Sequence, residues 1–196
     1  MSEVVIRPVQ KADAEALRQI YAYYVEKTAI TFEYKVPTLT EFTERIEKTT
    51  AMYPYLVAVK DDIVVGFAYA ASFNHREAYK WAVEVTVYLD HASRGGGIGK
   101  KLYQALEKAL KRQGIQNINA CISVPATEEQ EHVDYASMHF HEHLGYRLVG
   151  RFHSCGYKFD TWYDMVWMEK FIGTHPVPAP PCLLYTSDAA DESTAV

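Results

Sequence analysis

This chain of 196 residues predicts an α+β domain with flanking helices on one mixed central sheet of about six or seven strands. Three observations lead there. Runs such as Val83 to Leu89 alternate apolar and polar residues with the period of a pleated strand. Stretches such as Ile98 to Leu110 repeat apolar residues at helical spacing. The two kinds of segment follow one another as β-α-α-β-β-β-α-β-α-β-β, a mixed arrangement.

Val4 to Pro8 reads as the first strand. Asp13 is placed to cap a helix whose Leu17, Ile20, Tyr21 and Tyr24 form a core-facing stripe. Thr38-Leu39-Thr40-Glu41 is a capping-box pattern and opens a short helix through Phe42 and Ile46 toward Lys48. Tyr53 to Lys60 and Ile63 to Phe73 are β-rich runs separated by Asp61-Asp62, hence an antiparallel hairpin. Trp81 to Leu89 adds the next strand. The helix after it carries Ile98, Leu102, Leu106 and Leu110 on one stripe and stops near Gly114. Ile118 to Val124 follows as a strand, Ala136 to Leu144 as a helix ended by Gly145, and Tyr146 to Lys158 with Trp162 to Phe171 as two closing strands.

A hydrophobic fraction of 48% with 23% charged residues suits one globular domain, assigned to residues 1–173. Thr174 to Val196 changes character, with a proline-rich start and then CLLYTSDAADESTAV, free of Lys and Arg. CLLYTSDAADE resembles the translation of a sequencing adaptor, so residues 174–196 are set apart as a disordered tail or a non-native scar. The net charge of -5 argues against a nucleic-acid surface. Cys121, Cys155 and Cys182 show neither paired nor metal-binding spacing, which fits a reducing cytoplasm. With no long apolar run or charged-then-apolar leader, neither a membrane nor secretion is expected. The aromatic surface suggested by 15 tyrosines hints at a homodimer.

Chemistry concentrates after the Val83 to Leu89 strand. There Arg94-Gly95-Gly96-Gly97-Ile98-Gly99-Lys100 leads into a helix, so glycines can turn backbone N–H groups toward one anion at the helix's positive end. A Walker loop is excluded because Arg94 stands where its first glycine belongs and Lys101 where Ser or Thr belongs. A dinucleotide fingerprint starting at Gly95 would need a third glycine at Lys100. What remains is R-x-x-G-x-G, as Arg94, Gly97 and Gly99. After a strand with an internal Glu84, that pattern resembles the acetyl-CoA pyrophosphate loop of the GNAT superfamily of N-acetyltransferases.

Two longer blocks narrow the resemblance. AYAASFNHREAYKWAVEVTVYLD (Ala68 to Asp90) and FHEHLGYRLVGRFHSCGYKFDTWYDMVW (Phe140 to Trp167) are similar to the phosphinothricin and methionine-sulfone acetyltransferase branch. The resemblance implies the GNAT fold, with the Glu84 strand and the Ile118 strand pairing at one end and splaying at the other. It implies acetyl-CoA as co-substrate and a small-molecule amine as acceptor, with Glu84 and His141 as catalytic candidates. Val87, Tyr88, Leu89, Arg94, Gly95, Gly96, Gly97, Ile98, Gly99 and Lys100 become coenzyme positions, joined by Asp134 where some relatives carry Asn. Phe32 matches a substrate-loop position. Arg76 and Tyr79 lie in the loop expected to read an anionic acceptor, through the fork of Arg76.

The residue types suit the reaction independently. An ammonium must lose a proton before it attacks a thioester, so a base is required, and the departing thiolate takes up a proton. From an α-amino group near pKa 8 to an ordinary Glu near 4.3 the deficit is roughly 5 kcal/mol, against about 8 kcal/mol for an ε-amino group. Burial of Glu84 would narrow the first gap, which favours an α-amino acceptor. Glu84 could instead be a salt-bridged strand residue, and His141 a packing histidine. His139, His141 and His143 do not share one helix face, so no metal site is expected. Acetylation of a protein N-terminus or lysine, or a coenzyme-A sensor without turnover, stay open as rival functions.

Overall fold

The computed structural model describes residues 3–127 and 130–185. Its seven strands form one sheet in the order β1-β2-β3-β4-β5-β7-β6. They are β1 (Val4–Pro8), β2 (Tyr55–Lys60), β3 (Ile63–Ser72), β4 (Ala82–Leu89), β5 (Asn117–Val124), β6 (Arg147–Lys158) and β7 (Thr161–Phe171). The helices are α1 (Ala14–Lys27), α2 (Leu39–Thr50), α3 (Ile98–Arg112) and α4 (Ala136–His143). Element order and type agree with the sequence reading, and every strand pair is antiparallel except β4 with β5. That exception follows from chain path: α3 carries the chain from the end of β4 back to the start of β5, the crossover that parallel strands need.

Strand alternation divides the core. Val83 and Val85 of β4 and Ile118, Ala120 and Ile122 of β5 pack under α3, against Leu102, Leu106 and Leu110. On the opposite face Tyr55, Phe67 and Tyr88 pack under α1 and α2, against Leu17, Tyr21, Phe42 and Ile46. Fully burying one such aliphatic side chain contributes about 1.5–3 kcal/mol, so the two faces anchor their helices independently.

Local signals are realised with one change. The Thr38 box forms, with the Thr38 side chain accepting from the Glu41 N–H and the Glu41 carboxylate accepting from the Thr38 N–H. Asp61 and Asp62 both take left-handed φ (50° and 62°), the twist that a tight hairpin turn needs. Asp13, expected to cap α1, does not cap it through its side chain. Its carboxylate turns back one step, accepts the Gln10 N–H at 2.7 Å and pairs with Arg7 through two bonds, which binds β1 to a short 3-10 turn. The nearby guanidinium outcompetes a cap because an ionic bidentate pair is stronger than a neutral donor bond.

Residues 174–185, set apart from the domain by the sequence reading, lie against it. Trp81 Nε1 donates to the Pro180 carbonyl at 2.8 Å, and the Leu183 N–H donates to the Gln113 carbonyl at 2.9 Å. The rest of that stretch, 186–196, lies outside the described residues. Among the described residues no helix is long and apolar enough to cross a membrane.

Candidate active site

The parallel ladder between β4 and β5 holds for only three residue pairs, Ala82 with Asn117, Val83 with Ile118 and Glu84 with Asn119. Beyond Glu84 the strands part. Backbone groups of a strand point alternately to its two sides, and Leu89 turns its N–H and C=O to the gap, where the Tyr24 hydroxyl meets both. Val87, two residues earlier, faces the same way, so its amide is presented to the gap with no strand opposite. A buried amide in that position is costly until a ligand satisfies it.

The gap opens into a cleft of about 410 Å³ between α1, the end of β4, the glycine turn and α4. Val87, Leu89, Arg94, Gly99 and Asp134 line it, which brings five of the expected coenzyme positions together. Gly97 is the N-cap of α3 and takes φ 74°, with no side-chain cap. A Cβ there would meet nothing within 4 Å, so backbone conformation and not crowding calls for glycine. The N–H groups of Ile98, Gly99 and Lys100 fall in the first turn and have no intrahelical partner, since the first helical bond runs from the Lys101 N–H to the Gly97 carbonyl. At Gly99 the reason is space. A Cβ on it would lie 3.1 Å from the Phe140 ring, which α4 brings in to wall the cleft.

Charge at the mouth suits an anion. Arg94 is exposed, with its guanidinium over the rings of Tyr24 at 5.3 Å and Tyr23 at 5.8 Å. Lys100 and Lys101 are exposed on the first turn of α3, and Lys27 lines the cleft. Gly95 and Gly96 continue the turn, and Ile98 is buried in the core. Two expected positions are otherwise engaged. The Tyr88 side chain lies on the opposite face of the sheet, packed on Tyr21, Tyr24 and Phe67. The exposed Asp134 uses Oδ1 to accept the Ala136 N–H at 2.9 Å, which fixes the start of α4.

Glu84 sits where the strands separate, half-buried, on the α1/α2 face. Among the described residues no cation pairs with it, and desolvation raises its carboxyl above the usual range. Its charge acts on the hydroxyls of Tyr69 and Tyr103 and on the Cys121 thiol. Cys121 is free and solvent-accessible as a residue. Desolvation first and then Glu84 push its thiol up to about 12, so it is protonated and unsuited to be a nucleophile.

His141 is buried, only 3% exposed, among the rings of Tyr103, Phe140 and Tyr146. Its Nδ1 lies 2.7 Å from the Ser137 carbonyl and therefore carries the proton, which leaves Nε2 to accept from the Tyr103 hydroxyl at 3.1 Å. Burial drives its pKa down to about 4, so the ring is neutral at physiological pH. Sequence reasoning missed Tyr103, which stands beside Leu102 on α3 and carries no local signal of its contact with His141.

The expected acceptor residues separate. Phe32 packs on Tyr163 with ring centroids 6.4 Å apart, in a small cluster with Ala29 and Val133. Its loop is tied down by Lys158, whose Nζ donates to the Thr28 and Thr31 carbonyls at 2.8 Å each and whose pKa burial lowers to about 8. Tyr79 lines a second cavity of about 720 Å³, with Phe73, Trp81, Phe152 and Trp167. Arg76 is exposed on its loop and lines none of these cavities.

The chain is similar to known proteins over most of its length. A family model described as an acetyltransferase (GNAT) domain matches residues 6–167. The phosphinothricin N-acetyltransferase of Streptomyces viridochromogenes is 35% identical over 179 residues, which cover 91% of this chain and 91% of that protein. The L-methionine sulfoximine/L-methionine sulfone acetyltransferase of Salmonella typhimurium is 28% identical, over 88% of this chain and 97% of its own. Among solved structures, a phosphinothricin acetyltransferase from Sinorhizobium meliloti in complex with AcCoA superposes with a TM-score of 0.82 at 31% identity, covering 92% of this chain and 94% of that one.

Proposed function

Since the chain belongs to the acetyltransferase (GNAT) domain family, whose members use acetyl-CoA, we propose that it acetylates the α-amino group of a small amino acid or analogue of the phosphinothricin and methionine-sulfone kind. The observation that carries this reading is the unpaired, desolvated Glu84 at the point where β4 and β5 separate. Binding of the co-substrate would fall to the first-turn amides of α3, to Arg94 and to the backbone of Val87. It supplies an acetyl group activated as a thioester.

Glu84 accepts a proton from the acceptor's ammonium, directly or through one water, and frees the nitrogen lone pair. The nitrogen then forms a bond to the thioester carbon, the C–S bond breaks, and the sulfur leaves with its electron pair. Burial raises the Glu84 carboxyl toward the pKa of an α-amino group, so the proton transfer costs less than for an ordinary carboxylate. His141 enters as a neutral partner of the Tyr103 hydroxyl. It positions that hydroxyl and does not act as an imidazolium in the cleft, which neither side chain lines; the departing thiolate takes up the proton that Glu84 accepted, directly or through water.

The edge strand β6 exposes Leu148, Val149 and Phe152 (50%, 59% and 55%), apolar area that a second copy of the chain could cover. A homodimer is therefore part of the reading, tested by sedimentation. Free, exposed Cys121 and Cys155 suit a reducing cytoplasm.

Free-thiol release from acetyl-CoA, measured with a panel of amino acids that includes methionine sulfone and phosphinothricin, tests the proposal. Amine-dependent release that Glu84→Gln abolishes is the expected result. Coenzyme binding with no release for any amine would replace it with the sensor reading, and release with peptide N-termini alone would replace the acceptor class.

A further inference from the structure

The anion-reading arginine expected at Arg76 lines no cavity, yet another arginine does. A chamber of about 220 Å³ lies on the Glu84 face of β2, β3 and β4, closed over by α1 and α2. Tyr21, Tyr55, Tyr69 and Tyr88 supply its walls, and Arg45 of α2 and Glu33 of the α1–α2 loop stand at its rim with Lys48. At roughly 30 Å³ per water, the chamber has room for about seven non-hydrogen atoms, the size of a small amino acid or one end of a larger one.

The charges along this lining comprise two cations, Arg45 and Lys48, against one carboxylate, Glu33. Arg45 spends Nη1 on Glu33 at 2.7 Å, and a guanidinium has five donors, so a fork remains for a second acceptor. The larger 720 Å³ cavity offers the opposite environment, since among its described lining residues Glu169 is the one acid and no Lys or Arg is present. Tyr69 joins the chamber to the reacting end. It pairs in register with Thr86, two residues from Glu84 on the same face, and its hydroxyl feels both Glu84 and Arg45.

We propose that this chamber is the carboxylate subsite of the acceptor, with Arg45 as the residue that anchors the α-carboxylate while the amine faces Glu84. The proposal rests on the amino-acid reading above and adds the specificity determinant to it. Glu33 holds one side of the guanidinium, and the Arg45 side chain is half exposed at the opening, so the pair gains from its planar fork and from charge assistance more than from burial.

The test compares the fastest amino acid of the panel with its primary carboxamide, by kcat/KM for thiol release. In the wild-type enzyme the free acid is expected to be preferred by about 10- to 100-fold, the range of a hydrogen-bonded charged pair. Arg45→Gln should collapse that preference toward one by raising KM for the acid, and Arg45→Lys should restore part of it. Equal losses on acid and amide in Arg45→Gln, or a wild type that does not distinguish them, would overturn the subsite while leaving the acetyltransferase reading intact. The wild-type preference needs no variant to fold. Absence of thiol release with every acid and every amide would instead overturn both.

Discussion

The Tyr24 hydroxyl donates to the Leu89 carbonyl at 2.6 Å and accepts the Leu89 N–H at 3.1 Å, so one side chain of α1 replaces a missing strand at the outer end of the splay. The open backbone is thereby narrowed to the neighbourhood of Val87. Tyr24→Phe removes both partners and leaves two backbone groups unsatisfied. The expected cost is about 1–3 kcal/mol of stability, read as a lower urea midpoint. An unchanged midpoint would mean that the groups find other partners.

Glu84→Gln should lower kcat by about 10²- to 10⁴-fold, the usual contribution of a general base, while the Kd for acetyl-CoA changes little. The pH dependence has a definite sign. A carboxyl whose folded pKa is raised destabilises the native state once it ionises, so its favourable term is present below the unfolded pKa and is lost as pH rises through the folded value. Glu84→Gln is therefore more stable than wild type at neutral pH and not at pH 3. Thermal melts at the two pH values check this, and a variant less stable at neutral pH would point to a stabilising partner for Glu84.

The lowered pKa of His141 acts in the other direction. With about 4 in the folded state against an unperturbed 6.5, the unfolded chain binds its proton first as pH falls. The stability that the neutral ring allows is complete above about pH 6.5 and falls by about 3 kcal/mol between there and pH 4. His141→Gln should flatten that part of the pH–stability curve. It should also shift the acidic limb of the kcat profile less than Glu84→Gln does, because His141 works through Tyr103. A histidine titrating near 6.5 in an NMR pH series would contradict the buried geometry.

Gly97→Ala isolates the turn. Its φ of 74° is unfavourable for alanine although a Cβ has open space, so about 1–2 kcal/mol of strain is expected without any clash. The affinity for acetyl-CoA should fall as the α3 amides are displaced. Gly150→Ala, at a glycine outside the turn, without positive φ and with nothing within 4 Å of a Cβ, serves as the control. Equal effects from both, by denaturation and titration calorimetry, would remove backbone conformation as the cause.

Local order was readable from the chain because it arises from neighbours in sequence. The β4 alternation, the α3 stripe, the Thr38 capping box and the glycines before α3 each state their physics within a few residues, and the structure forms all of them. Asp13 shows the limit. Its capping signal is real, but Arg7 competes for the same carboxylate, and their proximity depends on how β1 meets the turn.

By itself the sequence determined the elements, their order and the glycine turn before α3, since propensity, periodicity and backbone freedom are properties of short segments. Only the tertiary structure decided where β4 and β5 stop pairing, that Tyr24 closes one end of the opening, that His141 meets Tyr103 and not the cleft, and that Arg45 rather than Arg76 borders a chamber on the Glu84 face. Those facts are distances between residues far apart in the chain, and packing of α1, α2 and α4 on the sheet is what sets them.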